Sequence, residues 1–235
     1  MVTLHGISAV VIDIEGTTSR AGFIYDVLFP YSRARMADWI GAHRDSDVVS
    51  EIFAQTRELL SVGDLSESEL VAALVAWIDS DTKAAPLKTA QGEIWAEGYS
   101  RGELKSQLFD DVAPALQAWH DAGLALYIYS SGSTKAQQSW FANSPAGDLT
   151  AILSGYFDIN NAGPKRESAS YVAIAEAIAQ PAPQIVFLSD VAEELAAATA
   201  AGWQTVGLSR DGEPYAHNTP AEFTWVNSFA DINLS

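Results

Sequence analysis

Ile7-Ser8-Ala9-Val10-Val11-Ile12-Asp13-Ile14-Glu15-Gly16-Thr17-Thr18 is the stretch on which the fold turns. An almost unbroken apolar run ends in two acids and then a Gly-Thr-Thr turn. A short run of this kind, rich in β-branched residues and bounded by turn residues, predicts a strand buried on both faces, as in a parallel sheet. Ligands of open α/β sheets bind just beyond the carboxyl ends of such strands. Asp13 and Glu15 are therefore expected at the edge of the sheet where chemistry takes place.

Two further runs repeat the pattern. Leu124–Tyr129 leads into Ser130-Ser131-Gly132-Ser133, and Gln184–Leu188 leads into Ser189-Asp190. Helical stretches lie between them: Asp111 to Asp121, with Asp111 as cap and Gly123 as stop, then about Thr134 to Asn143, Ser168 to Ala179, and the Ala-rich Ala192 to Ala201. Gly155–Ile159, Trp203–Leu208 and Phe223–Val226 are read as further strands. Strands alternating with helices predict an α/β fold with a doubly wound, mostly parallel sheet.

The stretch between Arg20 and Leu108 has no convincing strand. Phe23–Ile40 is helical but carries Pro30, so two pieces are expected there. Val48, Val49, Ile52, Phe53, Leu59 and Leu60 are assigned to one helix face, closed by Gly63. Ser66 and Glu69 form a capping-box pattern ahead of Val71, Leu74, Val75 and Ile78. A fourth helical stretch carries Trp95 and Tyr99. The expected organisation is an α/β core, residues 1–19 and 108–235, interrupted by a helical cap, residues 20–107.

The chain has 235 residues with 48% hydrophobic and 18% charged content, which predicts a packed core. Its net charge of −17 argues against nucleic acid and anionic membranes as partners. The same charge repels a phosphorylated substrate, so a phosphate site needs its own cation. Without cysteine there are no disulfides, thiolate metal sites or cysteine nucleophiles. The first residues hold no basic segment followed by a long apolar one, and no run approaches the roughly 20 apolar residues of a membrane span. A cytoplasmic monomer is expected.

Parallel strands bring Asp13, Glu15, Ser130, Ser131, Ser189 and Asp190 to one edge, within reach of Lys165 in the loop Gly163-Pro164-Lys165-Arg166. Taken singly, each has a plainer role: Asp190 as a helix cap, the serines as turn residues, Lys165 as a solvated charge, Glu193 and Glu194 as partners of a helix dipole. Taken together they are the parts of phosphoryl transfer. A carboxylate can attack phosphorus, one or two carboxylates with substrate phosphate can hold Mg²⁺, hydroxyls can hold phosphoryl oxygens, and a lysine supplies compact positive charge.

The order Asp-x-acid, Ser, Lys, acid resembles the haloacid-dehalogenase-like superfamily of phosphatases. Within it, the chain resembles the acireductone synthases, the enolase-phosphatases of methionine salvage. The resemblance rests on Asp13 to Thr18, Phe23, Leu28-Phe29-Pro30-Tyr31, Trp95 with Gly98-Tyr99, Gly102 to Lys105, Tyr127 to Ser133, Lys165-x-Glu167-Ser168-x-Ser170-Tyr171, and Phe187 to Val191 with Glu194. Ser19 to Gly22, Ser106-Gln107 and Pro164 depart from the family pattern.

The resemblance implies Mg²⁺ and a small phosphorylated diketone, 2,3-diketo-5-methylthiopentyl 1-phosphate, which is enolised and then dephosphorylated to the acireductone. It implies that Asp13, Glu15 (through its backbone carbonyl) and Asp190 bind the metal, and that Ser130, Ser131 and Lys165 bind substrate. Asp13 is expected as the nucleophile, Glu15 as a proton carrier and Lys165 as a catalytic cation. Phe23, Phe29 and Trp95 are core residues before they are ligands of an apolar tail. Two other readings stay open: a general phosphatase of small metabolites, and a receiver domain whose phosphorylated Asp switches partner binding. The length and the helical insert argue against the receiver.

Overall fold

The computed structural model describes all 235 residues, Met1–Ser235. In chain order the elements are β1 (Val2–Leu4), β2 (Ala9–Ile12), α1 (Phe29–Ala42), α2 (Asp47–Leu60), α3 (Glu67–Asp79), α4 (Ala85–Ser100), α5 (Val112–Asp121), β3 (Ala125–Tyr129), α6 (Thr134–Ala142), β4 (Gly155–Phe157), α7 (Ser168–Ala177), β5 (Ile185–Ser189), α8 (Ala192–Ala200), β6 (Gln204–Leu208), β7 (Trp225–Val226) and β8 (Ile232–Leu234). They form two compact units, one of Met1–Gly22 with Lys105–Ser235, the other of Phe23–Leu104. No helix is long and apolar enough to cross a membrane.

The first unit is built on a six-stranded sheet in the order β4-β3-β2-β5-β6-β7. Every pairing in it is parallel, rather than mostly so. The apolar runs mark the strands because the central ones have no solvent face: all four residues of β2 and all five of β5 are buried. Side chains alternate between the two faces. On one face Ala9, Val11, Tyr129, Ile185 and Phe187 pack with Tyr171 and Ile174 of α7 and Leu195 and Ala198 of α8. α5 and α6 pack against β3 and β4. The register aligns Ile12 with Ile128 on one side and Leu188 on the other, so the three strands end level.

Two local expectations change in this unit, and one strand pair is new. Asp111 precedes α5 but makes no capping bond to it. Its carboxylate takes two bonds from Arg210 Nη1, both at 2.8 Å, one from Ser228 Oγ at 2.8 Å and one from the Phe229 amide at 2.6 Å. A buried guanidinium is a stronger claimant for a carboxylate than a helix amide that water also serves. The short strands β1 and β8, which pair with each other, fall below the length at which apolar patterning is readable. Phe223 and Thr224 lie outside β7, which is two residues long.

In the helical unit, α1 to α4 enclose a core of Met36, Ile40, Val49, Ile52, Leu70, Leu74, Leu87 and Ile94. The two pieces expected around Pro30 form, and they abut. The chain runs from a π-helical turn, Ile24–Leu28, directly into α1, where Pro30 sits in the first turn. The Phe29 amide closes the π turn on the Ile24 carbonyl, and Pro30, lacking an N–H, falls in the first turn of α1, where its missing donor costs least. The Ser66–Glu69 capping box forms as expected. On α2 the buried stripe is Val49, Ile52 and Thr56, while Val48, Leu59 and Leu60 are exposed. α2 ends at Ser61, which takes the left-handed conformation itself, two residues before Gly63. Phe29 stacks on Trp95 at 6.4 Å, and the Trp95 indole donates to the Leu28 carbonyl within the same unit.

Candidate active site

The site forms where β2, β3 and β5 end. Past Ile12 the chain turns sharply, and the Ile14 carbonyl accepts from the amides of Thr17, Thr18 and Ser19 and from the Thr18 and Ser19 hydroxyls. Gly16 makes this turn possible. Its φ is +79°, and a Cβ placed on it would lie 2.6 Å from Asp190 Cγ and nearer still to Oδ2. Only hydrogen fits between the turn and that carboxylate.

Asp13 is buried and still paired to the sheet, its amide donating to the Leu188 carbonyl at 3.0 Å. One carboxylate oxygen is ion-paired to Lys165 Nζ, and the other accepts from Thr17 Oγ1 at 3.0 Å. Thr17 Oγ1 in turn accepts from the Asp190 amide at 3.0 Å, so one hydroxyl ties β2's end to β5's. The Thr17 carbonyl is held by Arg210 Nε at 3.1 Å. Lys165 Nζ also pairs with Glu194 Oε2 at 2.6 Å, and Ser189 Oγ donates to that same oxygen at 2.9 Å.

Glu15 turns its side chain toward β3. Ser130 Oγ donates to it at 3.1 and 3.3 Å, and also accepts from the Gly132 amide. Ser131, next in sequence, is exposed and makes no bond to this cluster. The structure thus brings together Asp13, Glu15, Ser130, Lys165 and Asp190, and leaves Ser131 on the rim. Two further residues join them, Thr17 and Glu194. Thr17 lies inside the first motif, and Glu194 follows the last one, where its sequence position alone suits a helix dipole. Glu194 is 8% exposed, and a dipole partner has no reason to be buried.

The electrostatics follow from four carboxylates facing one ammonium. Burial alone would push the Lys165 ammonium down, but the charges of Asp13, Glu194 and Glu15 reverse this and hold it well above its ordinary value. Burial, then the Asp13 charge, raises the Glu15 carboxyl, against the opposing pull of Lys165. Burial and Asp13 push Asp190 up to about 8. Asp190 Oδ1 is buried and has no hydrogen-bond partner in the chain. Surplus negative charge and an unpaired buried oxygen are what a site for a hard divalent cation looks like from the protein side. No three carboxylates or imidazoles converge to hold a metal unaided.

Residues 7–202 match the hydrolase family of haloacid dehalogenase-like hydrolases. An enolase-phosphatase E1 of Streptomyces avermitilis is 48% identical over 235 residues, covering 100% of this chain and 98% of the relative. One from Frankia alni is 51% identical over 221 residues, 94% of this chain and 93% of the relative. Among solved structures, the UTR4 protein of Saccharomyces cerevisiae superposes with a TM-score of 0.80 at 32% identity, covering 96% of this chain and 99% of the other. The L-2-haloacid dehalogenase of Xanthobacter autotrophicus superposes at 0.56 with 17% identity over 96% of both chains, a likeness of fold.

Proposed function

The chain belongs to the haloacid dehalogenase-like hydrolases, and from its site and its enolase-phosphatase relatives we propose that it acts as an acireductone synthase of methionine salvage. It converts 2,3-diketo-5-methylthiopentyl 1-phosphate to 1,2-dihydroxy-3-keto-5-methylthiopentene and phosphate. The observation that carries this reading is the cluster itself: one lysine and four carboxylates where three adjacent parallel strands end, with the Glu15 carboxyl raised and held by Ser130.

Each side chain takes a defined part. An Asp13 oxygen attacks phosphorus while the bond from phosphorus to the C1 oxygen breaks. Glu15 gives its proton to the departing oxygen, then takes one from the water that cleaves the aspartyl-phosphate, so phosphate leaves and both carboxyls return to their starting state. In the preceding enolisation a proton leaves C1 and the C2 oxygen gains one. Glu15, one methylene longer than aspartate, has the reach for both atoms: entering protonated, it gives its proton to the C2 oxygen and takes one from C1, so it is protonated again for the phosphoryl step. Lys165 balances charge on Asp13 and on the phosphoryl oxygens, at about 4 kcal/mol per 4 Å pair at an effective dielectric near 20. Ser130 orients Glu15, and Glu194 with Ser189 orients Lys165. Asp13, Asp190 and the Glu15 carbonyl would hold Mg²⁺, which supplies positive charge to the phosphoryl and enolate oxygens when bound.

In this reading the helical unit is the substrate cap, and the enzyme is a cytoplasmic monomer acting on a small phosphorylated diketone. The test follows the enol by absorbance and phosphate by release. Asp13→Asn should abolish phosphate release. Glu15→Asp should slow enol formation more than hydrolysis of a simple ester, and equal losses would remove Glu15 from the enolisation step. Phosphate release by the unaltered enzyme with no enol signal would leave a general phosphatase.

A further inference from the structure

Lys165 reaches the cluster from an irregular loop between β4 and α7, and its long side chain has many rotamers to lose. The backbone that carries it is pinned in an unusual way. Three successive carbonyls each accept from a hydroxyl of the core: Gly163 from Tyr129 Oη at 2.7 Å, Pro164 from Ser170 Oγ at 2.8 Å, and Lys165 from Tyr171 Oη at 2.7 Å. None of the three donors is on the loop. Tyr129 ends β3, and Ser170 and Tyr171 stand in the first turn of α7.

The donors are themselves immobile. Both tyrosines are fully buried. Their rings meet edge to face at 5.6 Å, and Tyr171 packs the same way on Phe187 at 5.2 Å and Trp203 at 5.3 Å. The Tyr129 and Phe187 rings lie 5.7 and 5.9 Å from Lys165 Nζ, within cation–π range. Burial pushes both phenols up, so they remain donors at any working pH. A tyrosine that only filled this core would be replaced by phenylalanine without loss. Two tyrosines and a serine, each delivering its hydroxyl to a different peptide of one loop, have a task beyond filling space.

We propose that Tyr129, Ser170 and Tyr171 are positioning residues for Lys165, fixing its loop so that the ammonium is set to meet a phosphoryl group without rearrangement. The inference rests on the reading of Lys165 as the phosphoryl-binding cation.

The experiment is a double-mutant cycle on affinity for inorganic phosphate, measured by calorimetry with Mg²⁺ present. Tyr171→Phe and Tyr129→Phe keep the rings and remove only the hydroxyls, and Ser170→Ala tests the middle carbonyl if a tyrosine variant fails to fold. Each is expected to weaken phosphate about tenfold, the equilibrium equivalent of one hydrogen bond. In a Lys165→Gln background each should change affinity less than twofold, because the cation they aim is gone. Equal weakening in both backgrounds, or none in either, would overturn the clamp. Lys165→Gln with unchanged phosphate affinity would instead overturn the role of the lysine.

Discussion

Gly16→Ala is the substitution for which the structure makes its sharpest demand. Gly16 has φ +79°, where an L side chain costs about 1–2 kcal/mol. For a chain of this size that lowers the melting temperature by about 2–8 °C. The added methyl also falls within 2.6 Å of the Asp190 carboxyl carbon, so the carboxylate must leave its place. Thr17 holds the Asp190 backbone amide in place, so the displacement falls on the carboxylate itself, which swings away from the position it shares with Asp13. A displacement near 1 Å in a catalytic group costs about a hundredfold in rate. Gly123→Ala supplies the control. Gly123 has φ +87° and open space for at least 4 Å around the position a methyl would take, and it precedes β3 at the amino end of the sheet. Both variants should lose thermal stability by calorimetry, Gly16→Ala at least as much as Gly123→Ala, and only Gly16→Ala should lose phosphate release. A Gly16→Ala enzyme with the full rate would refute the reasoning.

Chelation with EDTA should abolish phosphate release and added Mg²⁺ restore it, while Asp190→Asn should raise the Mg²⁺ concentration needed for half-maximal rate by at least tenfold; a rate indifferent to chelator would remove the metal from the reading. Asp111→Asn should cost about 2 kcal/mol at pH 7, a fall of about 4–8 °C, because it strips the buried Arg210 of its counter-charge. Burial raises the Asp111 carboxyl, but the Phe229 amide and Arg210 outweigh it and leave the group below its ordinary value. A depressed carboxyl contributes its stability above the unfolded value of about 3.9, and that contribution disappears as pH falls through the folded value. The stability gap between the two proteins, read by denaturant titration, should therefore narrow below about pH 4. A constant gap down to pH 2 would count against the pairing.

The sheet was legible because strands buried on both faces leave continuous apolar runs, and the runs before Asp13, Ser130 and Ser189 announce it. The gathering of Asp13, Glu15, Ser130, Lys165 and Asp190 followed from parallel topology, which sends every strand's end to one edge. Partners chosen across long separations left no local mark. Asp111 reads as a helix cap from its neighbours, and the guanidinium that claims it is 99 residues away. Glu194 near a helix start matches the dipole rule whether exposed or buried, so only coordinates separate a surface charge from the partner of Lys165. Ser131 shares the motif with Ser130, but successive residues past a strand end point differently, and one of the two faces solvent.

The bond from Arg210 to the Thr17 carbonyl has a bearing on how the enzyme is made. Asp13 precedes Arg210 by most of the chain, yet the turn that aims it is braced by Arg210 and by Glu213, which takes the Ala21 amide at 2.8 Å. Arg210 is itself seated through Asp111, which is gripped by Ser228 and Phe229. A nascent chain emitted N-terminus first can build helices and pair early strands, but the turn that carries Asp13 lacks its braces until Phe229 has been added. Ribosome-bound chains stalled short of Phe229 should be well advanced in folding and catalytically silent.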